Sequence, residues 1–390
     1  MGEAYIVAAA RTAGGRRGGR LAGWHPVDMA AAVLDALIDR SGADPVLVED
    51  VIMGCVGQAG EQAINVARNA VLASRLPLSV PGTSVDRQCG SSQQALHFAA
   101  ATVMSGIMDV VIAAGVESMT RVPIGTAAGL AAKAGLGQPK GPKMESRFPD
   151  VRFNQFAGAE LIAQKHDLNR EALDAYSLES HRRAISAVES GAFDPEIVPL
   201  DITLEDGTRS VHRIDEGIRF DVTLEGIRSV KLLREDGRLT AASSSQICDG
   251  ASGVMVVNER GLKTLGVRPL GRIHHMTVSA GDPVVMLEEP LFATERALRQ
   301  AGLSIDDIDL YEVNEAFASI PLAWLKHVGA DPARMNVSGG AISLGHPLGA
   351  SGTKLMSTLM HGLHRTRGRF GLQTMCEGGG LANVTIVERL

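Results

Sequence analysis

The stretch "SVDRQCGSSQQALHFAA", residues 84–100, puts Cys89 at the seam between a β-like run and a helix-like run. Far down the chain "GGAISLGHPLGASG" (339–352) does the same for His346, again as a small-residue turn leading into an apolar helix. The segments upstream also match: "LIDRSG" (37–42) and "ALRQAG" (297–302) each precede an aspartate-rich linker and a strand. Self-similarity between the two ends of a chain marks a duplicated α/β unit. The repeat makes Cys89 and His346 pseudo-equivalent and places both at helix N-termini facing each other across the duplication axis.

The rest of the chain fits this plan. "DVIMGCV" (50–56), "DVVIAAGVES" (109–118), "DIDLYEVNEA" (307–316) and "RFGLQTMCEGGG" (369–380) read as short buried strands ending in turns. "HPVDMAAAVLDALIDRSG" and "EEPLFATERALRQAG" read as amphipathic helices, and this alternation implies parallel α/β layers. Residues 120–248 break the pattern. They hold a glycine- and lysine-rich loop, a helical pair and polar strands, as expected of an inserted loop domain. The N-terminal half is then 1–119, completed by about 249–269, and the C-terminal half 270–390. Between Glu117 and Glu145 there is no acid but there are Arg121, Lys133, Lys140 and Lys143, a place for an acidic chain to meet a polyphosphate.

Composition excludes other classes. The 390 residues are 45% hydrophobic, enough for large cores, and a net charge of −6 gives no overall attraction to nucleic acid or anionic membrane. No stretch approaches a membrane span and the N-terminus lacks a secretory layout, which points to the cytoplasm. Cys55, Cys89, Cys248 and Cys376 resemble neither a disulfide framework nor a zinc site, so reduced thiols and no metal are expected.

Helix N-termini and neighbouring imidazoles activate thiols, and the turn at Cys89 offers both. "NEAFA" (314–318) adds an amide beside a carboxylate, the glycine-rich turn adds His346, and "CEGGG" (376–380) adds a second thiol and backbone N–H groups. Together these are the parts for acyl transfer through a thioester with an oxyanion hole.

Through "DRQCGSS", "NEAFA", "GGAISLGHPLGASG" and "MCEGGG", in order and approximate spacing, the sequence resembles the thiolases along nearly its whole length. The resemblance implies the thiolase fold, two duplicated halves in an αβαβα layering with an inserted loop domain. It also implies an acyltransferase in which Cys89 is the acylated nucleophile, His346 its base and Cys376 the second acid/base. Asn314 would hold a water beside His346 in one oxyanion hole, and the N–H groups of Cys89 and Gly378 would form the other. "TAASSSQICDGA" (240–251) resembles the segment that holds the pantetheine arm, through Ser245, and "DEGIR" (215–219) points to Arg219 near the nucleotide end. Coenzyme A enters as a substrate, no cofactor is tightly bound, and a homodimer or homotetramer is implied.

Where short-chain thiolases carry a methionine-glycine pair, "RFNQFAGAELIAQK" puts Asn154, Gln155 and Phe156 near the acyl group. This segment, together with the cysteine motifs, is closest to bacterial thiolases of steroid breakdown. Glu377 is unusual; its carboxylate either tunes a thiol or faces solvent. The expected reaction is thiolytic cleavage of a bulky 3-ketoacyl-CoA to acetyl-CoA or propionyl-CoA and a shortened acyl-CoA. The alternatives are a biosynthetic acetoacetyl-CoA thiolase and a non-catalytic lipid-binding relative. Against the last stands the complete Cys89, Asn314, His346 and Cys376 set.

Overall fold

A computed structural model describes residues 2–204 and 206–390. The N-terminal half runs β1 (Tyr5–Thr12), α1 (Pro26–Ser41), β2 (Asp50–Gly54), α2 (Val66–Ala73), β3 (Gly82–Val85), α3 (Ser91–Met104) and β4 (Val110–Ser118). An intervening segment carries the helical pair α4 (Gln155–Lys165) and α5 (Arg170–Glu189) and a small hairpin, Leu200–Thr203 with Arg209–His212. The chain then returns to the first sheet as β5 (Cys248–Val257). The C-terminal half repeats the order: β6 (Gly271–Ala280), α6 (Glu289–Ala301), β7 (Leu310–Val313), α7 (Ser319–Val328), α8 (Ser351–Thr366), β8 (Phe370–Glu377) and β9 (Leu381–Arg389).

The pairing repeats with it. β2 lies parallel to β3 and β4, while β5 joins β4 and β1 antiparallel. In the second half β7 lies parallel to β8 and bridges Met335 in parallel, and β9 joins β8 and β6 antiparallel. The layers are therefore mixed rather than wholly parallel: β2 runs parallel to β3 and β4, β7 to β8, and the short run Ile197–Val198 to β1. Antiparallel pairing of β1 with β6, Tyr5 opposite Arg272, fuses the two lobes into one continuous sheet. The matched ends of α1 and α6 are both left-handed glycine caps, Gly42 at φ 63° and Gly302 at φ 69°.

Three apolar cores set the layering. α1 and α2 cover the outer face of the first lobe, and α6 and α7 that of the second. Between the lobes α3 and α8 share a core with both sheet faces, Leu96 and Val103 meeting Met356 and Leu359. This is the expected αβαβα order. The two central helices cross so closely that a Cβ on Gly352 would lie 2.1 Å from the Gln93 nitrogen, and Ser92 Oγ accepts the Thr353 N–H at 3.0 Å. Among the described residues no helix is long and apolar enough to cross a membrane.

One sequence expectation shifts. α3 starts at Ser91 and α8 at Ser351, so the helix starts align Cys89 with Gly349, not with His346. His346 lies further upstream, ahead of a 3-10 turn, Leu348–Ala350. The similar composition of the two turns concealed this extra turn.

Candidate active site

Cys89 sits in a turn fixed from several sides. Gln88 adopts φ 49°, a left-handed conformation uncommon outside glycine, and Asp86 Oδ1 accepts the Gln88 N–H at 2.7 Å. Ser91 Oγ accepts the Arg87 N–H at 2.9 Å and donates to the Gln88 carbonyl at 2.6 Å. Strain held by its surroundings in this way is a mark of functional sites. Burial first, and the Glu377 carboxylate second, push the Cys89 thiol up to about 12, while the N–H groups of Cys89 and Gly378 favour its charged form. Two amide donors thus lie within reach of its sulfur. Gly90 has a packing reason to lack a side chain: a Cβ there would lie 1.9 Å from Glu377 Oε1.

Cys376 ends β8, 1% exposed. Its thiol is held well above its ordinary range by burial, then by Cys89 and Glu377, with the Asn314 side chain favouring the thiolate. Asn314 follows β7 and is anchored through its N–H to the Thr374 carbonyl at 3.1 Å; its buried side chain lies beside the Cys376 thiol, and neither polar atom has any other partner among the described residues. Buried amides are nearly always paired, so two free atoms on one side chain mark a place for a ligand or water. Its neighbour Glu315 points elsewhere. Its carboxylate accepts from Tyr176, Ser180 and the Ile342 N–H at 2.8, 2.8 and 3.0 Å, tying the turn ahead of His346 to α5.

His346 is 4% exposed. Nδ1 lies 2.6 Å from Ser351 Oγ, whose single proton goes to the Pro347 carbonyl at 2.9 Å. Ser351 must therefore accept from Nδ1–H, which leaves Nε2 as a bare acceptor, and Nε2 is buried without a partner. Burial and then the Lys354 ammonium hold the imidazole at about 3, so it is neutral and ready to take a proton. Lys354 also braces the loop, Nζ donating to the Leu344 carbonyl at 2.6 Å and the Gly345 carbonyl at 3.2 Å. Asp215 pairs with Lys354 in turn, and Arg11 pairs with Asp215. Ser351, Lys354 and Glu315 escaped the sequence reading; the only trace was their position inside or just after the quoted motifs.

A cavity of ≈ 730 Å³ opens over this site, lined by Cys89, Gly378, Gln155, Ile124, Phe153 and Met286 among others. Gln155 lies where expected, but Asn154 and Phe156 do not line it. Asn154 caps α4, accepting the Phe156 and Ala157 N–H groups at 2.9 and 3.2 Å, and Phe156 packs edge-on against Phe317 at 5.4 Å. The helix start turns Phe153 inward instead. A second cavity of ≈ 440 Å³ is lined by Arg219, His181, Ala242 and Gln246, with His181 Nδ1 accepting the Arg219 N–H at 3.3 Å. Ser245 donates its N–H to the Ala316 carbonyl, in a segment whose flanking residues bridge Phe317 and His346. Of the loop cations, Arg121 pairs with Glu61 and Lys140 with Glu145.

Residues 4–260 match the thiolase N-terminal domain and residues 267–389 the thiolase C-terminal domain. Over 392 residues the chain is 51% identical to the steroid 3-ketoacyl-CoA thiolase FadA6 of Mycobacterium tuberculosis, covering 100% of this chain and 95% of that protein. It is 39% identical to the β-ketoadipyl-CoA thiolase of Escherichia coli, over 100% of both. The structure of human mitochondrial 3-ketoacyl-CoA thiolase superposes with a TM-score of 0.90 at 32% identity, covering 100% of this chain and 99% of the other.

Proposed function

From the premise that the chain belongs to the thiolase family, and is an acyltransferase of degradative 3-ketoacyl-CoA thiolysis, we propose which groups do the work and on what. What supports the assignment is the neighbourhood of two thiols, Cys89 and Cys376, with the Asn314 amide beside Cys376, together with a buried His346 Nε2 left without a partner among the described residues.

In the proposed scheme His346 Nε2 takes the proton of Cys89 as its sulfur attacks the 3-keto carbon. The bond between C2 and C3 breaks, the acyl group stays on Cys89, and C2 receives a proton from Cys376, releasing acetyl-CoA or propionyl-CoA. Cys376 then takes the proton of an incoming coenzyme A thiol. That sulfur attacks the thioester, and Cys89 leaves as thiolate and recovers the proton held on His346. Two negative oxygens form along this path. The amides of Cys89 and Gly378 suit one, and Asn314 with a water beside His346 suits the other. Coenzyme A is a substrate here, and no tightly bound cofactor enters. The 120–248 segment carries it, Ser245 along the pantetheine arm and Arg219 in the second cavity.

For the acyl chain we infer a bulky, steroid-derived or ring-bearing group. The wall of Ile124, Phe153 and Met286 supplies apolar contact and Gln155 a polar fixing point, in a space far larger than an acetyl group needs. Coenzyme A-dependent cleavage measured across acetoacetyl-CoA, straight long-chain and ring-bearing 3-ketoacyl-CoA tests this. Ring-bearing substrates should exceed acetoacetyl-CoA in kcat/KM by at least about tenfold, or ~1.4 kcal/mol; equal efficiency overturns the assignment. The end strand β3 leaves one edge of the sheet unpaired within the chain, which supports a homodimer or homotetramer, checked by light scattering. Four free cysteines support a cytoplasmic setting, checked by fractionation.

A further inference from the structure

The acyl-transfer scheme makes no use of Glu377. Side chains alternate along β8, so Cys376 enters the core of the second lobe while Glu377 turns the other way, toward the start of α3. There its carboxyl group fills the space that a side chain on Gly90 would take. It does not face solvent: the residue is 0% exposed, and among the described residues neither carboxyl oxygen completes a hydrogen bond, the Asn383 N–H only approaching the group. A carboxylate placed for structural reasons is normally paired, as Glu117 is in the other half.

We propose that Glu377 is a positioning residue that acts through charge: sealed beneath the nucleophile turn, its carboxylate, once formed, repels anionic sulfur at Cys89 and Cys376 and holds both as thiols in alkaline solution. This rests on Cys89 being the nucleophile. The groups around Glu377 set the balance. Burial raises its pKa to about 8, with the Arg87 guanidinium and then the nearby Asn383 N–H pulling the other way. Glu117, on β4, adds a weaker repulsion on Cys89, and His97, on α3 beside Asn383, is held neutral at about 3. Three acids crowd one turn: Cys89, Cys376 and Glu377. Ionising one disfavours ionising the next, so their titrations are coupled. In alkaline solution the enzyme thus keeps a nucleophile that electrophiles other than its substrate find mostly as thiol.

The rate at which iodoacetamide alkylates Cys89, read on the Cys89 peptide by mass spectrometry across pH, tests this without reference to turnover. In the wild-type protein the logarithm of the rate should climb with unit slope and then bend to a smaller slope above about 8, where Glu377 loses its proton. In Glu377→Gln the unit slope should continue. The two proteins should agree within about 2-fold at about pH 6.5, and the variant should react at least ~5-fold faster at about pH 9.5. Glu377→Asp, which keeps the charge, should keep a bend and serves if the glutamine variant does not fold. A wild-type profile with no bend, or profiles of wild type and Glu377→Gln that superimpose, overturns the proposal. Failure to find an acyl group on Cys89 after substrate addition would instead overturn the nucleophile assignment.

Discussion

The ends of β4 and β8 are the same place in the two halves, and they have been put to opposite uses. The paired registers of β2 with β4 and β7 with β8 set Glu117 against Cys376 and Cys55 against Asn314. In the first half the carboxylate of Glu117 accepts from the Val56, Gly57 and Gly349 N–H groups and from Gln62 Nε2, at 2.9, 2.9, 2.9 and 2.8 Å. Every donor in reach is used, and the group serves to hold the turn before α8. At the matching point of the second half lie Cys376, the unpartnered Asn314 amide and the unpartnered Glu377 carboxyl. Equivalent backbone thus carries a satisfied polar cluster on one side and an unsatisfied one on the other. Unpaired buried polar groups are costly, and they persist where a substrate completes them.

The sharpest way to break this comparison is to remove the nucleophile that only the second cluster serves. Cys89→Ala should lower thiolysis by about 10⁴-fold or more, with no acyl-enzyme detected by mass spectrometry. An acylated Cys376 in that variant would relocate the chemistry. Cys376→Ser should slow coenzyme A-dependent cleavage by ~10²- to 10⁴-fold while Cys89 still alkylates; near-normal turnover would remove Cys376 from proton transfer.

Acidification probes three buried imidazoles, His346, His97 and His181, held at about 3, 3 and 4. Each folded value is below the unfolded value near 6.5, so the unfolded chain binds more protons below that pH and stability falls as pH drops. Urea unfolding should lose about 1 kcal/mol per histidine between about pH 7 and about pH 5.5. Flat stability over this window would mean that these imidazoles titrate normally. Glu117→Gln tests the satisfied cluster: an amide must aim its NH₂ at backbone donors, and unfolding should become easier by about 1–3 kcal/mol. If its main effect were a loss of kcat as large as that of Cys376→Ser, the two clusters would not differ in kind. The smallest effect is expected for Ser351→Ala, which frees the imidazole to switch tautomer: roughly a tenfold loss in kcat with KM nearly unchanged. A change in KM alone would make Ser351 a substrate contact.

Much of this was legible before the structure. The repeat of helix, glycine cap, linker and strand predicted the duplicated halves, because caps and apolar periodicity are local signals. The four motifs held Cys89, Asn314, His346 and Cys376, and the structure brings Cys89 beside Cys376 and Asn314. Less visible was which neighbour of a motif residue faces the site. Asn314 and Glu315 are adjacent and equally polar, yet one is left open and the other fully bonded to α5. Asn154 and Phe156 looked like pocket lining, but the start of α4 drew Asn154 into a cap and turned Phe153 inward.

The sequence by itself determined the elements, the doubling and the chemical inventory, since these follow from residue type and short-range order. The close crossing of α3 and α8, the extra turn ahead of α8 and the sealing of Glu377 under Gly90 were decided only by tertiary structure. Each depends on which groups far apart in the chain exclude water from one another. Burial of that kind fixes protonation, and it is set by the packed whole rather than by any stretch of it.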